Sequence, residues 1–585
     1  MGEDSNNLSL LWESEESCKE WRGSLHSRDQ GYIEDLNLKL VYEEVCRAGR
    51  FGAQYNFEEI FLHPCARAST VAFRQRIMEQ LYQDAFLYEA ALDFVSCVSE
   101  IQQRLERFGG RTAQKIEAAE RAAMAREVAA ARKAALAGNL AVGKEAADSS
   151  DGKRDENKKM IAALQIRHCF LASLKSISEK VSGYIKKGTP LSPCAERLAE
   201  FVSDGRTVPE LEELSEFLSV LDGGMPQSVL LNKDRGQNCR SIVIDPEGTR
   251  ECGYTERLIK CAEPFLGKYD FKIRVYQNTD ISHLDKRIQE HVCHRHPRLA
   301  DRLKNLYEKY GDYDISYFAG IAEELVFYLA CIRFVRRYEE AGFFFSMPVC
   351  TGQHESEVTD AYDMTLGINL YRNNRGGGAV PNDYGFAPGR RIFILTGANQ
   401  GGKTTFIRSV GLIQCLAQIG MYVPCRRASL GMVGQIHTHF SREDESGATV
   451  GRFEQELQRI QEILKTLRDG DMILLNETFT STQRTVAVVL LKRLLRELDC
   501  RHCCGGLVTH FYEVGDGLEG EGFYSLVTEV AGEGESRERT FKIREGESFR
   551  YSFAKDIAVK CGVTYEGLAA RCGLPPGSGT GQHGE

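Results

Sequence analysis

No run of about 18 apolar residues occurs in the 585-residue sequence, which excludes an obvious spanning helix and argues against a membrane partner. The first residues, MGEDSNNLSLLWESEESCKEW, are acidic and polar where a secretory leader would be basic and then apolar, so a cytoplasmic location is expected. A basic surplus is also missing: 74 Lys and Arg stand against 83 Asp and Glu, for a formal charge of −9. That balance excludes a uniformly basic coat but is compatible with a local basic groove facing nucleic acid. The 19 cysteines are odd in number and lack a compact repeated spacing, which fits reduced thiols better than a disulfide framework. His291, Cys293, His294 and His296 cluster in HVCHRHPR, yet no second Cys/His pair stands at a zinc spacing, so this cluster alone defines no metal site.

With 42% hydrophobic residues the chain is globular, and its length exceeds one ordinary core, so two or three domains are expected. Residues 1–30 are polar with little periodicity and read as a tail. From Asp35 onwards LNLKLVYEEVC and TVAFRQRIMEQLYQDAFLYEAALDFVSCVSEIQQRLERF place apolar residues at three- and four-residue steps, as amphipathic helices require. The Ala-, Arg-, Lys- and Glu-rich stretch Arg111 to Ala147 has high helix propensity and a thin apolar stripe, so it is expected to protrude as an arm. Its basic residues suit either phosphate tracking or a solvated helix face. SIVID and FKIRVY, between Ser241 and Glu290, read as short strands without assignable chemistry. A further helical block ends in FVRRYEEAG, and from about Met347 strand-like runs, glycines and helices alternate, as in an α/β ATPase.

The strongest chemical signal is RRIFILTGANQGGKTTFIRSVGLIQCLAQIG, in which an apolar run enters a Gly-rich loop and an amphipathic helix leaves it. Gly397, Ala398, Asn399, Gln400, Gly401, Gly402, Lys403 and Thr404 match G-x-x-x-x-G-K-[ST], with Thr405 following. Small residues there let backbone N–H groups surround phosphate oxygens at the positive end of a helix. Lys403 is expected on the β and γ phosphates of ATP, and the Thr404 hydroxyl on Mg²⁺. Downstream, MILLNETF supplies an apolar strand ending in Asn476 and Glu477. Such a strand normally ends in an Asp that helps hold Mg²⁺, followed by a Glu that polarises the attacking water. Glu477 fits the second role, whereas Asn476 keeps an oxygen acceptor without the charge and predicts weaker metal binding or slower turnover. LVTHFYEV then places His510 at a strand end, where it is expected to sense the γ-phosphate; a hydrogen-bonded structural histidine is the competing reading.

The order of these motifs resembles the MutS family of DNA mismatch-repair ATPases over about residues 347–575. TGANQGGKTTFIR resembles that family's TGPNMxGKSTxxR, with Asn399 at its distinctive Asn. AVPND (Ala379 to Asp383) is similar to its VPND, IGMYVPCRRASLGMVGQIHTHF to IGxYVPA with the strand that follows, and NETFTST stands at DEIGRGT. LVTHFYE stands at ATHYHE, and YSFAKDIAVKCGVT at YGIxVAxLAGLP. The resemblance implies an α + α/β chain: a helical core, lever and clamp region over 31–346, an ABC-type phosphate-loop ATPase domain over 347–573, and a flexible tail over 574–585. It also implies a homodimer with composite ATP sites that grips duplex or branched DNA by backbone and shape. Glu445 to Leu457 is similar to the family's signature segment, but Gly451 stands where that segment has its Ser, leaving Thr449 or Arg452 as substitutes for the contact across the dimer. Neither the family's N-terminal mismatch reader and connector nor a nuclease domain is recognisable, and Phe511-Tyr512-Glu513 lies inside the ATPase half. The readings carried forward are a DNA-clamp ATPase, an ATP-gated dimeric scaffold with little hydrolysis, and a phosphate-loop ATPase with a non-DNA partner.

Overall fold

The computed structural model describes residues 9–25, 30–51, 55–96, 98–99, 102–103, 160, 164, 167–168, 171–172, 175, 207–223, 228–233, 239–245, 297–310, 316–352, 355–397, 400–441, 451–518, 522–531 and 538–546. The expected arm (111–147), FKIRVY, the His291–His296 cluster, Ala398, Asn399, Thr449, YSFAKDIAVKCGVT and the 574–585 tail lie outside the described residues. These fall into two compact units, one within 1–91 and 323–585, the other within 92–322 apart from 192–194. The boundary expected at 346/347 therefore does not separate compact units: the first ninety-odd residues and the end of the long helix before it fold with the ATPase half.

In chain order the elements are α1 (Glu15–Ser24), α2 (Gly31–Asp35), α3 (Leu38–Ala48), α4 (Glu58–Leu62), α5 (Ala68–Gln83), α6 (Thr207–Gly223), β1 (Ser228–Lys233), β2 (Cys239–Asp245), α7 (Pro297–Tyr310) and α8 (Ser316–Glu340). There follow β3 (Val349–Thr351), β4 (Ser356–Ala361), α9 (Met364–Arg372), β5 (Asn382–Phe386), β6 (Ile392–Thr396), α10 (Lys403–Ile419), β7 (Arg427–Gly431) and β8 (Ile436–Phe440). The series closes with α11 (Arg452–Thr466), β9 (Met472–Asn476), α12 (Arg484–Cys500), β10 (Cys504–Val508), β11 (Phe523–Ala531) and β12 (Glu538–Glu545). SIVID forms most of β2, which pairs antiparallel with β1. In that second unit Leu164, Leu171, Leu211, Leu214, Phe217, Leu218, Leu303 and Leu306 form one apolar core between helical segments.

The first unit is built on a six-stranded sheet of order β12-β11-β6-β10-β9-β8. β11, β6, β10, β9 and β8 run parallel, and β12 returns antiparallel on β11. β6, β8, β9 and β10 are buried at every position; β6 and β9 accordingly read as nearly continuous apolar runs without alternation, whereas β8 buries His437, Thr438 and His439. Leu491, Leu494, Leu495 and Leu498 of α12 and Ile460 and Ile463 of α11 pack on Ile392, Ile394, Ile473, Leu475 and Leu507 of the sheet. A second sheet, β3-β7-β4-β5, was not foreseen. Its strands are short and interrupted, and β5 runs straight into the turn before β6, so periodicity alone does not separate them.

The expectation of a polar tail over 1–30 fails for the described residues 9–25. Leu10, Leu11, Trp12 and Trp21 are buried, and α1 is closed by a reciprocal capping box between Ser14 and Ser17. The reason lies far away in the chain. Arg74, 0% exposed, donates from Nε to the Leu11 carbonyl at 2.9 Å and from Nη1 to the carbonyl of Ile419 at 3.4 Å, while its guanidinium lies 4.4 Å from the Trp12 ring centroid. The Leu11 carbonyl, one carbonyl at the negative end of α10 and an aromatic face offset the cost of burying this cation, and so tie the N-terminal segment to the helix that leaves the phosphate loop.

A second tie is Asp35, at the end of α2. Its Oδ2 accepts from the Thr438 hydroxyl at 2.8 Å and from the Phe440 amide at 3.3 Å, and Arg459 of α11 approaches to 3.5 Å. On α10, Gly411 permits close packing: a Cβ there would stand 2.7 Å from both methyl carbons of Leu36 and from Leu474 Cδ1. The helical N-terminus is thus wedged against α10, the helix that leaves the phosphate loop, and against the edge strand β8.

Candidate functional site

β6 delivers the chain to Gly397, whose φ of 139° suits glycine alone, and a Cβ there would stand 2.1 Å from Thr528 Oγ1 on the adjacent strand β11. Gly402, with φ 88°, is the residue before α10, so the loop turns sharply and aims the first amides of that helix inward. Lys403 is 5% exposed, and its Nζ donates to the Gly397 carbonyl at 3.0 Å, folded back across the loop. Burial holds its pKa below the usual lysine value, and the Glu477 carboxylate opposes that shift. The Thr404 hydroxyl donates to Asn476 Oδ1 at 3.4 Å. Thus the loop threonine and the end of β9 meet as the spacing implied, with an amide oxygen where a carboxylate is usual.

Glu477 follows β9 in a left-handed conformation, φ 53°, with its amide donating to the Val508 carbonyl of β10 at 2.9 Å. This backbone bond fixes the turn that carries the carboxylate to the loop. Gln400, Gly402, Lys403, Thr404, Thr405 and Glu477 all line one cleft of about 740 Å³, within the size range of small-molecule sites. His510 stands two residues beyond β10, exposed, with its ring centroid 4.0 Å from that of Phe511. Burial of part of its ring lowers its pKa; Glu477 opposes this and Lys403 adds to it, which places His510 within electrostatic range of both. It is not among the residues that line the cleft. Gly451 caps α11 in extended conformation, exposed, with nothing within 4 Å of a Cβ built there.

Other residues of this cleft went unnoticed in the sequence. Asp363 caps α9 through Thr365, accepting from its amide and its hydroxyl at 2.7 Å each, and its other oxygen faces Arg408 of α10 at 3.5 Å. Burial raises its pKa, while those donors and Arg408 pull against the shift. Asn382, quoted above only within VPND, accepts the Ile543 amide on Oδ1 at 2.7 Å and donates to the Phe541 carbonyl at 3.2 Å. These bonds hold β12 at the rim, where Phe541, 46% exposed and with φ 62°, lines the cleft beside Gly402. The DMT sequence of the cap was a readable signal for Asp363; nothing local marks Phe541.

Residues 393–559 match the family model described as MutS domain V. A DNA mismatch repair protein MutS from Thermotoga petrophila is 26% identical over 324 residues, 55% of this chain and 37% of that protein. One from Fervidobacterium nodosum is 29% identical over 189 residues, 32% of this chain and 22% of that protein. One from Thermus thermophilus is 32% identical over 135 residues, 23% of this chain and 16% of that protein. The matched stretches thus span well under half the length of these relatives. Residues 393–559, with their glycine loop, buried lysine and paired strand ends, are the part of the chain that matches MutS domain V, an ATPase domain.

Proposed function

We propose that this chain binds and hydrolyses ATP with Mg²⁺ in the cleft at the end of β6, and that hydrolysis governs its grip on DNA, in mismatch repair or a related repair or recombination process. The observation that carries the catalytic part is that Lys403, Thr404 and Glu477 line one cleft, with Asn476 accepting from the Thr404 hydroxyl. In this reading the loop amides from Gly397 to Thr405, Ala398, Asn399 and Gly401 included, surround the phosphates. Lys403 neutralises the β and γ oxygens, and the base lies against Phe541 and Val380 at the cleft rim. The Thr404 hydroxyl and Asn476 amide would hold Mg²⁺, which when bound neutralises phosphate charge. Glu477 takes the proton of the attacking water, and His510 donates a hydrogen bond toward the departing γ-phosphate. Neutral near pH 7, the imidazole serves as a donor and does not need charge.

The DNA partner is supported by the names of the relatives, DNA mismatch repair proteins, and by the motif resemblance; a homodimer is supported by the motif resemblance alone. Among the described residues no helix is long and apolar enough to cross a membrane. The test is a panel of homoduplex, mismatched and four-way-junction DNA at two salt concentrations, with and without ATP. DNA should bind and should stimulate Mg-ATPase activity; no binding at low salt, where phosphate contacts are strongest, would overturn the DNA partner.

Asn476 favours a second reading, an ATP-gated switch with little turnover. Asn476→Asp separates the two. Restoring the carboxylate beside Thr404 is expected to lower the Mg²⁺ concentration for half-maximal ATPase activity about tenfold, from one added charged interaction. A wild-type chain with measurable turnover and this metal response supports the hydrolase. Turnover at background, rising only in Asn476→Asp, supports the switch.

A further inference from the structure

We propose that Arg539, aimed by Gln400 from beside the cleft, is a phosphate-binding cation additional to Lys403, so that ATP is held with reduced dependence on Mg²⁺; this rests on the reading of the cleft as an ATP site. β12 is brought to the loop by sheet order. Arg539 pairs with Val530 of β11, and β11 runs parallel beside β6, whose next residue is Gly397. Two residues of β12 consequently reach the loop from outside. Arg539 Nη1 donates to Gln400 Oε1 at 2.9 Å, and the Phe541 ring lies 3.6 Å from where a Cβ on Gly402 would stand.

The chemistry of that contact is asymmetric. Gln400, the fourth residue of the loop, holds φ 61° and lines the cleft, and its amide oxygen fixes the guanidinium without neutralising it. Among the described residues Gln400 takes one of the five N–H donors, and the others form a planar fork suited to phosphate. Among the described residues no carboxylate stands within ion-pair distance of Arg539. A cation fixed beside an anion-binding loop by a neutral partner adds attraction for phosphate and cancels none of it.

Asn476 makes that addition count. Of Asn476, which ends β9 beside Thr404, and Glu477, which follows it, Glu477 alone carries charge, so the Mg²⁺ ligand set would lose one anion and the phosphates meet one fewer repulsion. Lys403 from inside and Arg539 from outside then supply two positive charges that do not depend on the metal.

The test is titration of the full chain with a fluorescent ATP analogue, in Mg²⁺ and again in excess EDTA. Arg539→Ala is expected to weaken binding about tenfold or more in EDTA and less in Mg²⁺. Arg539→Lys should recover part of the loss, and Gln400→Ala should fall between wild type and Arg539→Ala. Arg544→Ala removes the same charge from an exposed position farther along β12 and should stay within about twofold of wild type, since surface charges contribute little. If Lys403→Ala loses binding while Arg539→Ala matches Arg544→Ala in EDTA, the role of Arg539 is overturned and the ATP site stands. If Lys403→Ala binds as wild type, the ATP site itself is overturned, and this proposal with it.

Discussion

Glu477→Gln is expected to reduce the rate of ATP hydrolysis by about a hundredfold to ten-thousandfold while leaving ATP binding within a few-fold of wild type. The amide retains the size and one acceptor oxygen of the carboxylate but cannot take a proton from water at neutral pH. The backbone that positions it is set by the Val508 carbonyl and the left-handed turn, neither of which depends on the side-chain charge. Loss of kcat with binding intact would mark an interaction made in the transition state. Single-turnover hydrolysis alongside equilibrium nucleotide binding measures both quantities; turnover equal to that of wild type would remove Glu477 from catalysis.

Lys403→Met should have the opposite profile, removing ATP binding by about a hundredfold or more, as expected when one partner of a buried charged contact is lost. The free protein should be no less stable, and the sign follows from burial. Lys403 has a folded pKa below its unfolded value, so the folded state binds its proton less readily and charge at this position subtracts stability at neutral pH. Methionine fills the same channel without that cost. ATP normally raises the melting temperature by mass action, because it binds only the folded chain. In Lys403→Met that ATP-dependent rise should vanish while the melting temperature without nucleotide is equal or higher. A variant that melts far lower without nucleotide would show Lys403 to be held mainly for the Gly397 carbonyl contact.

The phosphate loop was legible because its chemistry is local. A glycine-rich turn between a buried strand and a helix requires its glycines, lysine and threonine in consecutive positions, so β6, Gly397 to Thr404 and α10 are one continuous signal. β9 and β10 were legible for a similar reason, since fully buried parallel strands appear as apolar runs whose ends carry the polar groups. The opening residues misled because Leu10, Leu11 and Trp12 sit among Ser, Glu and Asn, and no local pattern announces that Arg74 and Glu324 will receive them. Ser9 and the Leu10 amide both donate to Glu324, on a helix more than three hundred residues away. The second sheet escaped for a like reason, because its order interleaves β7 between β3 and β4.

By itself the sequence determined the phosphate loop, the two strand ends that follow it, the departure at Asn476 and the resemblance of residues 393–559 to the MutS family, all carried by contiguous residues. Tertiary structure alone decided what surrounds them. Asn382 grips β12 across 161 positions, Asp35 reaches the edge strand β8 across more than four hundred, and Arg539 meets Gln400 across 139. Contacts at such separations are set by strand order and by how closely helices approach, as at Gly411, and these depend on the packing of the whole unit at once. No window of sequence contains both partners, so only the assembled sheet brings Arg539 to the phosphate loop.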